Sequence, residues 1–343
     1  MSTTANLQTI CLYVTTDNVG ISITNMDIED GIRHIIDTDL PYIYFGKPYI
    51  DDRWIEEKAP IAGGHGYGNA MNQFYWPHGI FVDDGQTMVI ADWYNNRVIE
   101  WKIGYRNGRV VAGGRGEGNR LDQLNRPTDV LIDKETDSLI ICDWGNRRVV
   151  RWSRHSGATQ GEILLDNIKC YGLAMDHQRH LYVSDTDKHE IRRYQMGDRN
   201  GTVVAGGYGR GRGLNQLNFP TFLFVDHEQA VYVSDCKNHR VMKWNQTAAE
   251  GIIVAGSQGE GWALTQLSGP EGLVVDMSGT VYVADRNNHR VMAWPKGAKY
   301  GLIIRLEERH VYYPMGLSFD QYHNLYAVNY GDHCIERFRF KSI

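Results

Sequence analysis

From residue 61 onward the chain is a succession of short apolar runs separated by polar punctuation. Gly272-Leu-Val-Val-Asp276 is followed by Val281-Tyr-Val-Ala-Asp285 and then by Arg290-Val-Met-Ala-Trp294. Each run is short, rich in β-branched and aromatic residues, and bounded by Asp, Gly, Asn or His. Such runs predict successive antiparallel strands, with the first, almost wholly apolar, buried on both faces. The first phrase recurs as Gly79-Ile-Phe-Val-Asp83, Asp129-Val-Leu-Ile-Asp133, Gly172-Leu-Ala-Met-Asp176, Phe222-Leu-Phe-Val-Asp226 and Gly316-Leu-Ser-Phe-Asp320. A fourth phrase is Ile61-Ala-Gly-Gly64, Val111-Ala-Gly-Gly114, Val204-Ala-Gly-Gly207 or Val254-Ala-Gly-Ser257.

The period is roughly 42 to 51 residues, and one period holds four strands, a to d. A lone four-stranded sheet cannot bury both faces, so six are expected to pack radially into a closed ring. The last repeat supplies strands a, b and c and then ends, whereas Ile61–Gly64 precedes the first strand a. Pairing the two completes the sixth sheet with an N-terminal strand. The fold class is therefore all-β, a closed six-bladed β-propeller of four-stranded antiparallel blades spanning residues 59–343, with residues 1–58 as an N-terminal extension.

The run Asp235-Cys-Lys-Asn-His-Arg240, its sibling Asp285-Arg-Asn-Asn-His-Arg290 and the Pro-x-Gly-Leu-x-Val-Asp phrase resemble NHL repeats, a family of six-bladed propellers. The likeness departs in blade three, where Glu190 stands in place of the arginine, and in blade six, where Asn329 and Cys334 replace aspartate and arginine together. Joint loss implies that Asp92 with Arg97, Asp143 with Arg148, Asp235 with Arg240 and Asp285 with Arg290 form a polar clamp within each blade.

Composition adds little to this picture: 42% hydrophobic and 22% charged residues exclude a disordered or collagen-like chain. Residues 1–58 carry ten acidic and four basic residues against a net charge of −5 for the whole chain, so the ring is near neutral. The acidic extension is expected to dock on the arginine-richer blades two to four, and Ile10–Asp17 faintly resembles a strand b. No apolar run reaches membrane-spanning length and no secretory leader is evident, so a soluble, cytoplasmic, monomeric protein is expected. The five scattered cysteines never form a C-x-x-C pair, which predicts reduced, buried thiols rather than disulfides or zinc.

Recurrence disposes of several tempting motifs. The glycine runs Gly63–Gly68 and Gly206–Gly213 lead into strands rather than a helix, and read as turns rather than phosphate loops. His189, His239, His289 and His333 occupy equivalent positions around a ring, so they cannot converge on one metal and are read as structural caps. The column Trp101, Trp152, Tyr194, Trp244, Trp294 and Phe338 reads as packing.

Chemistry is sought where the repeat varies. The residue before strand a is His78, Thr128, Tyr171, Thr221, Glu271 or Met315, and Asp129 and Phe222 replace the glycine found next in the other blades. These eight are the candidate ligand-binding residues, expected to ring one mouth of the central channel. A second variable set, Trp93, Trp144, Thr186, Cys236, Arg286 and Tyr330, lies just beyond strand b. The family resemblance implies a non-catalytic scaffold that holds a protein or peptide partner. It also leaves two alternatives: a channel-site lyase or lactonase-type hydrolase using a divalent metal, with His78, Asp129 and Glu271 as weak ligand candidates, and RNA binding through a basic face. No cofactor is otherwise implied.

Overall fold

The computed structural model describes residues 54–57, 59–155, 157–304 and 311–340. The docking and strand expectations for residues 1–53 lie outside them. The described chain forms 25 β-strands in six sheets. Blade one is β3(Pro77–Val82), β4(Thr87–Asp92), β5(Arg97–Lys102) and β6(Arg109–Gly113); blade two is β7(Pro127–Asp133), β8(Ser138–Asp143), β9(Arg148–Ser153) and β10(Glu162–Leu165). Blades three, four and five repeat the order through β11–β14, β15–β18 and β19–β22, from Cys170 to Ile304.

Blade six joins β23(Pro314–Phe319), β24(Leu325–Asn329) and β25(Cys334–Phe340) to the N-terminal strand β2(Ala62–Gly63), with Ala62 opposite Ile335. The latch is longer than its repeat phrase suggested. Strand β1(Trp54–Glu56), inside the segment assigned to the extension, also pairs with β25 and places Trp54 opposite Phe340. Trp54 is buried and packs edge-on against Tyr282 of blade five, so the same residues close the ring and seal a blade interface.

The polar clamp is present in four blades. Arg240 Nε donates to Asp235 Oδ2 at 2.8 Å, and its terminal nitrogens donate to the carbonyls of Arg212, Gly213 and Gln216. Asp235 Oδ1 accepts the Asn218 amide at 2.7 Å. The pair thus ties strands b and c to the loop arriving from the previous blade, satisfying backbone groups that burial would otherwise leave unpaired. Arg97, Arg148 and Arg290 bind Asp92, Asp143 and Asp285 in the same way. In blade six Asn329 Oδ1 still accepts the Tyr312 amide, so the loop contact survives without the ion pair.

The glycine loops are turns. Gln73, Gln123, Gln216 and Gln266 each donate across the loop to a backbone carbonyl. The aromatic column is buried as expected, with Trp244 and Trp294 among the most enclosed side chains.

The histidines are caps of a particular kind, because each fastens its blade to the next. His189, His239, His289 and His333 accept, through Nδ1, the amides of Phe219, Gly269, Tyr313 and Trp76 at 3.1–3.2 Å. Asn96 does the same for Arg126 through Oδ1 at 2.8 Å. Five of the six blade junctions carry this staple.

The sixth junction, between blades two and three, is fastened differently. Cys142 of β8 and Cys170 of β11(Cys170–Met175) are joined by a disulfide, contrary to the expectation of reduced thiols. The two cysteines are 28 residues apart and belong to different blades, so spacing gave no sign of the pairing. Cys236 and Cys334 are buried thiols.

Candidate functional site

The six strands a surround the channel, and the residues at their beginning decide how wide it is. A β-carbon added to Gly172 would lie 2.6 Å from Thr221 O of blade four, and one on Gly316 would lie 2.6 Å from His78 O of blade one. Glycine at this position lets neighbouring strands a touch, which narrows the channel at the end where the b–c turns also lie.

The candidate ligand-binding residues therefore close this end. His78, Thr128, Tyr171, Thr221, Glu271 and Met315 are all buried, none more than 7% exposed. An open, ligand-lined mouth was expected; convergence of the strands replaces it with a packed plug. Tyr171, Phe222 and Met315 share one apolar cluster with Trp144, Phe219 and Tyr330. Thr128 Oγ1 donates to Tyr171 O at 2.7 Å, a structural use.

Three ionisable candidates sit in this plug. Burial first, opposed by Arg286 and by hydrogen bonds from the Thr221 and Tyr171 side chains, raises the Glu271 carboxyl to about 7. Burial, reinforced by the nearby Arg286 charge, lowers His78 to about 3, so its imidazole is neutral. Among the described residues His78 Nδ1 and Glu271 Oε2 have no hydrogen-bond partner. Asp129 is raised by burial to about 7 and spends its oxygens on backbone, accepting the Val130 amide at 2.9 Å and the Leu173 amide at 2.8 Å. It bridges blades two and three. Among the described residues no three His, Cys, Asp or Glu side chains are grouped to hold a metal, so His78, Asp129 and Glu271 do not form a ligand set.

Above the plug lies a face built from Trp93, Trp144, Arg286 and Tyr330 of the second variable set, whose Thr186 and Cys236 are instead buried, and from residues that precede strands a. Trp76 stacks on Tyr330 with centroids 5.7 Å apart, and Trp93 stacks on His78 at 5.3 Å. Tyr75 lies 4.0 Å from Tyr94, which is exposed, as are Tyr67 and Tyr313. Three cations rest on these rings. Arg126 lies over Trp93, Lys169 is 3.6 Å from the Trp144 centroid, and Arg286 lies over Tyr313 and Tyr330. Sequence variation located Trp93, Trp144, Arg286 and Tyr330. It missed Trp76, Arg126 and Tyr313, whose signal was their place one residue ahead of the proline that recurs at the start of strand a. Their left-handed backbone, with φ of 51–53°, belongs to the same stapled turn.

The opposite end of the channel is open. There a cavity of about 610 Å³ is walled by strand-a side chains such as Val82, Ile132, Met175 and Phe319, with Asp129 and Phe222 at its inner end. Its rim carries the exposed Lys134–Asp84 pair and Arg179, which bridges Asp133 and Glu135.

Comparison with known proteins agrees with the architecture. The NHL repeat model matches residues 267–292. A protein of unknown function from Bacteroides thetaiotaomicron superimposes with a TM-score of 0.66 at 16% identity, covering 83% of this chain and 76% of that one. An auxiliary nutrient binding protein from the same organism gives a TM-score of 0.58 at 15% identity, covering 81% and 70%. A gluconolactonase from Xanthomonas campestris gives 0.60 at 15% identity, covering 83% and 97%. No curated protein matches the chain. At these identities the likeness concerns the fold alone.

Proposed function

The chain is a six-bladed β-propeller carrying an NHL repeat, and on that premise we propose that it is a non-catalytic scaffold holding a protein or peptide segment on its aromatic, cationic face. The observation that carries this reading is the run of half-exposed rings around Trp76, Trp93, Tyr313 and Tyr330, with cations resting on them and the channel closed below. Large aromatic side chains and arginine supply most binding energy in protein interfaces, because they cover much apolar area at small entropic cost. With this end of the channel shut, the face is a broad surface, which suits a polypeptide.

The test is selection from a random peptide library on the immobilised protein. Peptides selected on the parent should lose about tenfold or more in affinity for Trp76→Ala or Tyr330→Ala, the scale of a lost aromatic anchor. Retention of full affinity by both variants, with loss in Met175→Ala at the open cavity, would refute the reading.

A channel-site enzyme is the second reading, favoured by Glu271 alone. Its carboxyl, raised to about 7 and with one oxygen unpartnered, has the proton affinity of a general acid or base at neutral pH. Hydrolysis of a lactone panel that disappears in Glu271→Gln, with no peptide recovered, would favour it.

A further inference from the structure

We propose that the junction of blades two and three is an anion subsite of this face, and that the partner is an acidic peptide whose carboxylate or phosphate group lodges there. The proposal rests on the scaffold reading above.

Five junctions are held by an acceptor side chain in the b–c turn and an amide ahead of the next strand a. At the junction of blades two and three the acceptor position is Arg147, in the same left-handed conformation, and the residue ahead of β11 is Lys169. Two cations thus face each other where the repeat elsewhere places a hydrogen-bonded pair. Nothing in the closure of the ring calls for that, since the Cys142–Cys170 disulfide already fastens the two blades directly beneath.

Of these cations Arg147 is paired, binding Asp187 at 2.5 Å, whereas among the described residues neither Lys169 nor Arg126 forms an ion pair. Lys169 rests on the Trp144 ring. Burial, followed by the Arg147 charge, depresses its pKa; Asp187 opposes the shift and Arg126 adds to it. Mutual repulsion of this kind is relieved when an anion arrives. An oxyanion lodged between the two cations would receive charge-assisted hydrogen bonds from the ammonium and guanidinium groups. The disulfide joins the residue after Lys169 to a residue two before Trp144, so ammonium and ring are held together before the ligand binds.

Peptide is favoured over nucleic acid because three cations on a near-neutral ring make a small footprint for a polyphosphate chain.

The experiment is calorimetric titration of the full chain with pentaglutamate and pentaglutamine at low ionic strength. Pentaglutamate should bind and pentaglutamine should not. The Arg147→Gln/Lys169→Met variant should lose about tenfold in affinity, as expected for removing two cations from a charged contact. Lys169→Arg should retain binding, and Lys296→Met, in a c–d turn, should behave as the parent. Thermal melting of each variant controls for misfolding.

Equal binding of the two peptides, or full affinity in the double variant, overturns the subsite; library peptides that still depend on Trp76 would then leave the scaffold reading standing. Oligouridylate that displaces pentaglutamate and binds more tightly at the same salt also overturns it, in favour of nucleic acid.

Discussion

Replacing Arg240 with methionine removes one half of a clamp whose other half has nowhere to go. Asp235 is fully buried, and burial raises its carboxyl against the pull of Asn238, the Asn218 amide and Arg240. Three loop carbonyls, on Arg212, Gly213 and Gln216, lose their donors at the same time. Breaking a buried pair by deleting one partner costs about 3–5 kcal/mol, because an uncompensated charge stays behind. Adding Asp235→Asn removes that charge while leaving an oxygen for the Asn218 amide, the arrangement Asn329 already has with Tyr312 in blade six. What remains is the cost of unsatisfied carbonyls, about 1–3 kcal/mol. The double variant should therefore be more stable than Arg240→Met alone by about 2 kcal/mol. Urea unfolding followed by both circular dichroism and tryptophan fluorescence measures the cycle. An Arg240→Met cost below about 1 kcal/mol, or strictly additive single costs, would show that the two side chains do not act as a coupled unit.

Three further outcomes follow from the same structure. Glu271 titrates at about 7 when folded and near 4.5 when exposed, so its stabilising proton is fully present below 4.5 and lost as pH rises through 7. Glu271→Gln should gain melting temperature relative to the parent between about pH 5 and pH 8, and a constant difference across that window would contradict the assignment. His78, held at about 3, acts in the opposite sense and loses stability as pH falls below 6.5. At the staples, His239→Ala should cost about 1 kcal/mol by orphaning the Gly269 amide, whereas His239→Asn should recover most of it, as Asn96 does for Arg126. Reducing the Cys142–Cys170 disulfide, which closes a 28-residue separation, should lower stability by about 3–4 kcal/mol, and Cys142→Ala/Cys170→Ala should not respond to reductant. A thiol titration of the denatured, unreduced protein that finds all five cysteines free would refute the bond.

What sequence could reveal divides along the line between a blade and its neighbours. The Asp–Arg clamp was legible because both partners lie within one repeat, five residues apart, so their joint absence from blade six could be seen in the chain itself. The latch was legible for the same reason, as a fourth strand left over at one end and missing at the other. Everything decided between blades was hidden. The staple needs a histidine and an amide 24 to 30 residues apart, or at opposite ends of the ring for His333 and Trp76. The disulfide and the cationic pair at blades two and three are visible only once those blades are adjacent. The closing of the mouth escaped notice because glycine at Gly79, Gly172, Gly272 and Gly316 looked like background to the variable residues beside it. Those glycines allow the contact between strands that buries His78 and Glu271. Variation read along the chain therefore marked this end of the channel, where the candidate residues form a buried plug beneath the aromatic, cationic face. The residues that meet solvent there lie in the stapled turns, as Arg126 and Tyr313 do, and at the acceptor position of the staple, otherwise Asn96 or histidine, blade two alone carries a cation, Arg147.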